Sequence, residues 1–145
     1  MKIKFSPEQC IGCGSCVMAC IDQNDTPIAD GATARMHIRE IYTIKNGRGN
    51  VSYAKDGCVH CPSMACAKQC PTGAIKRDET TQFVWIDHEL CINCGKCKDA
   101  CPFHAIDFSM GMPDKCDGCY QRVAQGYEPA CVRTCLTQAL RLEKD

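Results

Sequence analysis

The chain of 145 residues carries 17 basic and 17 acidic side chains, a formal charge of zero, and sixteen cysteines. Balanced charge excludes the basic face that nucleic acid or an anionic membrane selects, and no apolar run approaches the roughly 20 residues needed to cross a bilayer. Leu, Ile, Val and Phe number only 25, about 17% of the chain, yet the large net charge that accompanies disorder is missing. Aliphatic burial alone therefore cannot offset the conformational entropy of folding, and something held by the cysteines has to complete the core. The N-terminus "MKIKFSPEQC" has neither an apolar signal-peptide run nor a twin arginine. The expectation is a cytoplasmic chain with reduced thiols.

The first feature along the chain is "CIGCGSCVMAC", which sets Cys10, Cys13, Cys16 and Cys20 at gaps of two, two and three. Residues 36–54, "MHIREIYTIKNGRGNVSYA", read as a β-hairpin about "NGRGN". The second group, "CVHCPSMACAKQCP", holds Cys58, Cys61, Cys66 and Cys70, with two extra residues in its second gap. "AIKRDETTQFVWIDHELC" then predicts strand, polar turn and strand, with Phe83, Trp85 and Asp87 alternating. The third group, "CINCGKCKDACP", restores the undistorted spacing at Cys91, Cys94, Cys97 and Cys101. In the fourth, Cys116, Cys119, Cys131 and Cys135, the second gap opens to eleven. Groups two to four exit alike, through "CPTGAI", "CPFHAI" and "CLTQAL": an alanine and an aliphatic just past the fourth cysteine, then a short extended segment. Group one exits differently, as "CIDQND".

The run C-x2-C-x2-C-x3-C-P is the bacterial ferredoxin ligand pattern for [4Fe–4S] clusters. Three cysteines on one turning loop reach three irons of one cube, and the fourth, a helical turn beyond, ligates the neighbouring cluster in two-cluster ferredoxins. Gly12, Gly14, Gly95 and Gly118 lie between ligands, where positive φ lets backbone N–H groups approach sulfur. Pro71 and Pro102 turn the chain after the fourth cysteine. Two other uses of cysteine compete. Structural zinc favours separated C-x2-C pairs, and disulfides need an oxidising compartment and better-placed partners.

The motifs "CVHCPSMACAKQCPTGA", "CINCGKCKDACPFHAI" and "KCDGCYQRVAQGYEPACVRTC" resemble those of the four-cluster ferredoxin-type electron-transfer subunits of molybdenum and tungsten oxidoreductases. Those subunits serve formate dehydrogenases, dimethyl-sulfoxide-type reductases and formate hydrogenlyase, and the resemblance covers nearly the whole chain. Leu136 stands where relatives often have proline, and the C-terminal transmembrane helix that some respiratory relatives carry is not expected here. Cys94 is intact where certain relatives lose a cysteine and hold a three-iron cluster, so four [4Fe–4S] clusters are expected.

The resemblance implies that group one pairs with four and group two with three, each fourth cysteine crossing to its partner's cluster. Cluster A then takes Cys10, Cys13, Cys16 and Cys135, and cluster B takes Cys20, Cys116, Cys119 and Cys131. Cluster C takes Cys58, Cys61, Cys66 and Cys101, and cluster D takes Cys70, Cys91, Cys94 and Cys97. The implied fold is α+β, with two ferredoxin-like bi-cluster modules, one inserted in the other, and a core built around the clusters. Residues 1–50 and 107–145 form the outer module, and residues 51–106 the inserted one.

Four such clusters add a formal charge of about −8. Lys68, Lys96, Lys98, Lys115, Arg122 and Arg133 lie in or beside the ligand loops, as compensating charge or as an ordinary solvated face. His60, inside "CVHC", is expected to hydrogen-bond a thiolate rather than to ligate, because every group already has four thiols. His37, His88 and His104 read as surface residues, and Trp85 as packing rather than an electron relay. No nucleotide loop or Ser/His/Asp set is present, so no catalytic residue is expected in this chain.

The reading is an electron relay between a larger molybdenum- or tungsten-pterin catalytic subunit and a redox partner such as hydrogenase, ferredoxin or a further iron–sulfur subunit. A free-standing diffusible polyferredoxin and a structural zinc module are the alternatives. Residues 38–54 and 120–129 are not consumed by ligation and are the candidate docking segments.

Overall fold

The computed structural model describes residues 1–144, and its secondary structure comes in short pieces. Strand β1 (Lys2–Phe5) is followed by helix α1 (Ser15–Gln23), strands β2 (Met36–Lys45) and β3 (Arg48–Gly57), and helix α2 (Ala65–Lys68). Strands β4 (Ile75–Arg77) and β5 (Val84–Ile86) come next, then helices α3 (Lys96–Ala100), α4 (Tyr120–Ala124) and α5 (Ala130–Arg133), and strand β6 (Leu140–Glu143). The architecture is α+β. Helices of four or five residues cannot stand alone, so their order comes from what they pack against.

Three separate two-stranded antiparallel ladders form. β1 pairs with β6, Phe5 opposite Leu140, so residues from the two ends of the sequence share one ladder. β2 and β3 make the long hairpin, from Met36 opposite Gly57 to Lys45 opposite Arg48. Its turn residues Asn46 and Gly47 both have positive φ, 52° and 74°, the primed turn whose twist suits paired strands. The hairpin thus runs to residue 57, past the expected end at 54, and the expected module boundary at 50 falls within β3. β4 and β5 pair with Ile75 opposite Ile86.

The apolar side chains gather in two small cores rather than one. Cys16, Cys20, Met36, Cys131, Val132 and Leu140 form the first, with Ile3, Phe5 and Ile38 against them. Ile75, Val84, Ile86, Cys97 and Ile106 form the second, with Met64, Cys66 and Phe108 against them. Cysteine supplies part of each core, in line with the scarcity of large aliphatics.

The repeated exits have a common local geometry. Gly73, His104 and Gln138 all adopt positive φ, and their N–H groups donate to the carbonyls of Cys70, Cys101 and Cys135. That turn drops the following pair inward: Ala74, Ile75, Ile106, Ala139 and Leu140 are all buried. The strand over residues 83–87 departs from simple alternation. Val84 and Ile86 face the second core, while Phe83, on the other side, is fully buried as well. Both faces of β5 are covered, so period two does not separate inside from outside.

Candidate metal centres

Each cysteine group begins with a loop whose third residue is left-handed: Gly12, His60, Asn93 and Gly118 have φ of 67°, 51°, 58° and 71°. In the second and fourth loops this conformation turns the backbone N–H toward the first sulfur. The N–H of His60 donates to Cys58 Sγ at 3.4 Å, and that of Gly118 to Cys116 Sγ at 3.4 Å. At Gly12 and Gly118 glycine is also required by space. A β-carbon there would collide with the rings of Tyr53 and Phe83 respectively.

Short helices follow the loops and carry thiols one turn apart. Cys16 and Cys20, four apart on α1, share one buried face. Cys131 and Cys135 have the same spacing across α5, as do Cys66 and Cys70 across α2, and Cys97 and Cys101 across α3. All sixteen thiols are free, and they line four cavities. Cavity A is lined by Cys10, Cys13, Cys16 and Cys135. Cavity B has Cys20, Cys116, Cys119 and Cys131. Cavity C has Cys58, Cys61, Cys66 and Cys101, and cavity D has Cys70, Cys91, Cys94 and Cys97. Among the described residues no Cys, His, Asp or Glu trio is gathered tightly enough to hold a single ion. One zinc needs its thiolates within about 2.3 Å of the metal, a closeness that none of these groups shows. Four thiols that line one pocket without closing on a single ion fit a polynuclear group.

The surroundings favour thiolate. Ala105 N–H donates to Cys101 Sγ at 3.5 Å, Leu140 N–H to Cys135 Sγ at 3.4 Å, and the Asn24 amide to Cys20 Sγ at 3.6 Å. Hydrogen bonds with the Ser15 and Ser63 hydroxyls lower the pKa of Cys13 and Cys61. Burial does the opposite at cavity B, pushing Cys116 up to about 12 and raising Cys131 also. Those thiols give up their protons only when a metal compensates the buried charge.

His60 lies in the loop of cavity C. Its Nδ1 accepts from Val84 N–H at 2.9 Å, and its Nε2 sits 3.8 Å from Cys116 Sγ, across at cavity B. Burial first, and then the charge of Lys115, lower its pKa to about 3, so the ring is neutral. Of the basic residues singled out from the sequence, Lys115 alone is buried. It lines cavity C and its ammonium donates to the carbonyls of Val84 and Cys116. Lys68, Lys96, Lys98 and Arg133 are exposed, and Arg122 donates to the Glu128 carbonyl at 2.7 Å. His37, His88 and His104 are exposed. Trp85 stacks on Tyr120 with ring centroids 5.2 Å apart.

Arg35 and Asn24 also line cavity B, and the cysteine motifs point to neither. Asn24, one turn after Cys20, is detectable from helical spacing. Arg35, ion-paired to Asp114 at 2.9 Å and Asp117 at 3.1 Å, is joined to this site only by tertiary folding.

The 4Fe-4S dicluster domain family matches residues 50–145, and a second match of the same description covers residues 9–74. The chain belongs to the 4Fe-4S dicluster proteins, as an iron–sulfur electron-transfer subunit of the oxidoreductase type. It is 37% identical over 150 residues to the B subunit of anaerobic dimethyl sulfoxide reductase from Haemophilus influenzae, covering 94% of this chain and 70% of that protein. To the thiosulfate reductase electron transfer subunit of Salmonella typhi it is 38% identical over 138 residues, 92% of this chain and 70% of the relative. To the nitrate-inducible formate dehydrogenase iron–sulfur subunit of Escherichia coli it is 34% identical over 146 residues, covering 90% of this chain but 50% of that subunit. Two dicluster matches and sixteen cysteines provide for four [4Fe–4S] clusters.

Proposed function

We infer that this chain relays single electrons between a molybdenum- or tungsten-pterin catalytic subunit and a redox partner such as hydrogenase or ferredoxin. The observation that carries the reading is the gathering of sixteen thiols around four cavities, each joined to the next by shared structure. Each cavity's four cysteines are the ligands of one [4Fe–4S] cluster, and each bound cluster accepts and releases one electron. Cys16 and Cys20 on α1, with Cys131 and Cys135 across α5, tie A to B. Cys66 and Cys70, with Cys97 and Cys101, tie C to D. B and C meet where Lys115, on the wall of C, precedes Cys116 on the wall of B.

These adjacencies support the order A–B–C–D. The exposed cysteines, Cys13 and Cys94, belong to A and D, the ends at which electrons enter and leave. The two apolar cores support an inserted arrangement. Residues up to Gly57 and from about 107 onward form the outer module, and the segment between them forms the inner one, which keeps the β2–β3 hairpin whole. The chain makes its contribution by holding, spacing and covering clusters, with no catalytic residue of its own, and works in a reducing compartment, the cytoplasm, where thiols stay free for iron.

The relatives are named as parts of larger reductases and a dehydrogenase, which supports assembly with a larger catalytic subunit. The hairpin's outer end carries Tyr42, Ile44 and Val51 exposed at 72%, 82% and 45%, a surface suited to such a partner. Affinity purification from the native host with mass spectrometry tests the reading, and a pterin-containing catalytic subunit is the expected companion. A chain that runs alone and serves several unrelated enzymes would instead be a diffusible polyferredoxin.

A further inference from the structure

We propose that His60, seated on the loop of site C, raises the reduction potential of the neighbouring cluster at site B through a hydrogen bond to Cys116. The inference rests on the cluster reading above and adds to it which thiolate His60 serves: not one of its own loop, but Cys116 at the neighbouring site. Its basis is the pair of contacts on one ring. Val84 N–H donates to Nδ1 at 2.9 Å, so Nδ1 carries a lone pair and the neutral ring's proton is on Nε2. Nε2 lies 3.8 Å from Cys116 Sγ, within reach of a large, soft acceptor. The N–H therefore points across the boundary between the two sites.

The ring has little freedom to do anything else. Phe83, fully buried, packs on it at 4.7 Å between centroids. The Val84 carbonyl, on the far side of the residue that binds Nδ1, is held by the buried Lys115 ammonium. Cys116 already receives the Gly118 N–H, so His60 gives it a second donor. When an electron arrives at site B, negative charge on the sulfur ligands increases and the proton stays on Nε2. A donor fixed on Cys116 stabilises the reduced form more than the oxidised one, and hydrogen bonds to sulfur are a recognised control of cluster potential. Site B also has Asn24 on Cys20.

His60→Asn is the informative substitution. Asparagine tolerates the left-handed backbone at this position, where φ is 51°. Its amide oxygen takes the place of Nδ1 and keeps the Val84 bond, but nothing reaches Cys116. In whole, anaerobically purified protein, reductive titration followed by electron paramagnetic resonance should show one cluster shifted to lower potential. The expected size is about tenfold in its oxidised-to-reduced ratio at fixed potential, about 59 mV for one electron. That signal should be the one altered by Cys116→Ser, and His60→Gln, which can extend an amide N–H toward Cys116, should restore part of the shift.

A His60→Asn protein with full iron and all four potentials unmoved would overturn the proposal and leave the four-cluster reading intact. So would a shift confined to the signal altered by Cys58→Ser. Should His60→Asn fail to assemble, wild-type protein labelled with 15N-histidine decides the matter. Pulsed resonance must then find a histidine nitrogen coupled to the reduced cluster at B, and its absence sinks the idea. Wild-type protein lacking four clusters would fail the broader reading first.

Discussion

Gly118 and Gly14 share a backbone conformation, with φ of 71° and 74°, but not a neighbourhood. Around Gly14 a β-carbon would meet no other part of the polypeptide, whereas at Gly118 it would run into the Phe83 ring. Against the polypeptide, Gly14→Ala should therefore cost the left-handed strain alone, about 1–2 kcal/mol. Gly118→Ala adds a collision with a fully buried aromatic, and overpacking of this kind costs about a further 1–3 kcal/mol. Iron content and melting temperature of the two variants check the contrast, and equal behaviour would mean that Phe83 yields easily. Phe83 also packs against His60, so one side chain braces two ligand loops.

At the scale of elements, the helices act as dividers between sites. A four-residue step on α1 puts Cys16 at cavity A and Cys20 at cavity B. Cys20→Ser should disturb the cluster held with Cys116, Cys119 and Cys131 while leaving the one at Cys10, Cys13, Cys16 and Cys135 largely unchanged. Resonance spectra that lose the latter signal instead would break the ligand assignment. The hairpin behaves differently, because it holds no ligand. Arg39 forms a two-pronged ion pair with Asp56, at 2.8 and 3.1 Å, so reversing its charge would break a cross-strand contact as well as alter the surface. Ile44→Asp and Lys45→Glu, at the exposed end, are cleaner. Both should weaken co-purification with the catalytic subunit and leave visible absorption unchanged. The other docking candidate, residues 120–129, proves partly internal, with α4 at its start, Tyr120 on Trp85 and Pro129 fully buried.

For the molecule as a whole, the two cores are too small to hold the fold without the clusters. Anaerobically purified protein should be brown and carry roughly 16 iron and 16 sulfide per chain. Removing iron with a chelator, or exposing the protein to oxygen, should abolish secondary structure along with colour, because metal binding and folding are one equilibrium when the ligands form the core. Circular dichroism that stays native after complete iron loss would show the polypeptide to be self-sufficient. Stoichiometric zinc with no visible absorption would refute the iron–sulfur assignment itself.

Cysteine spacing, read alone, was enough to determine the cofactor class, because a cubic cluster imposes its own distances on a loop and leaves them in the sequence. The short exits after groups two to four were legible for a similar reason: each needs one left-handed turn and a buried small-large pair. Where β5 has both faces covered, alternation misleads, because Val84 and Ile86 are buried along with Phe83. His60 and Lys115 were visible beside their own cysteines, but the contacts of the His60 ring with Val84 and Cys116, of Lys115 with Val84, and of Arg35 with Asp114 and Asp117 join residues dozens of positions apart, and no local pattern encodes such meetings. Which thiols share a cavity was likewise beyond spacing and came only from the resemblance. In the structure that sharing depends on α1 packing with α5 and α2 with α3, since a helix one turn long can send two thiols to different sites only when a partner helix supplies the rest of each.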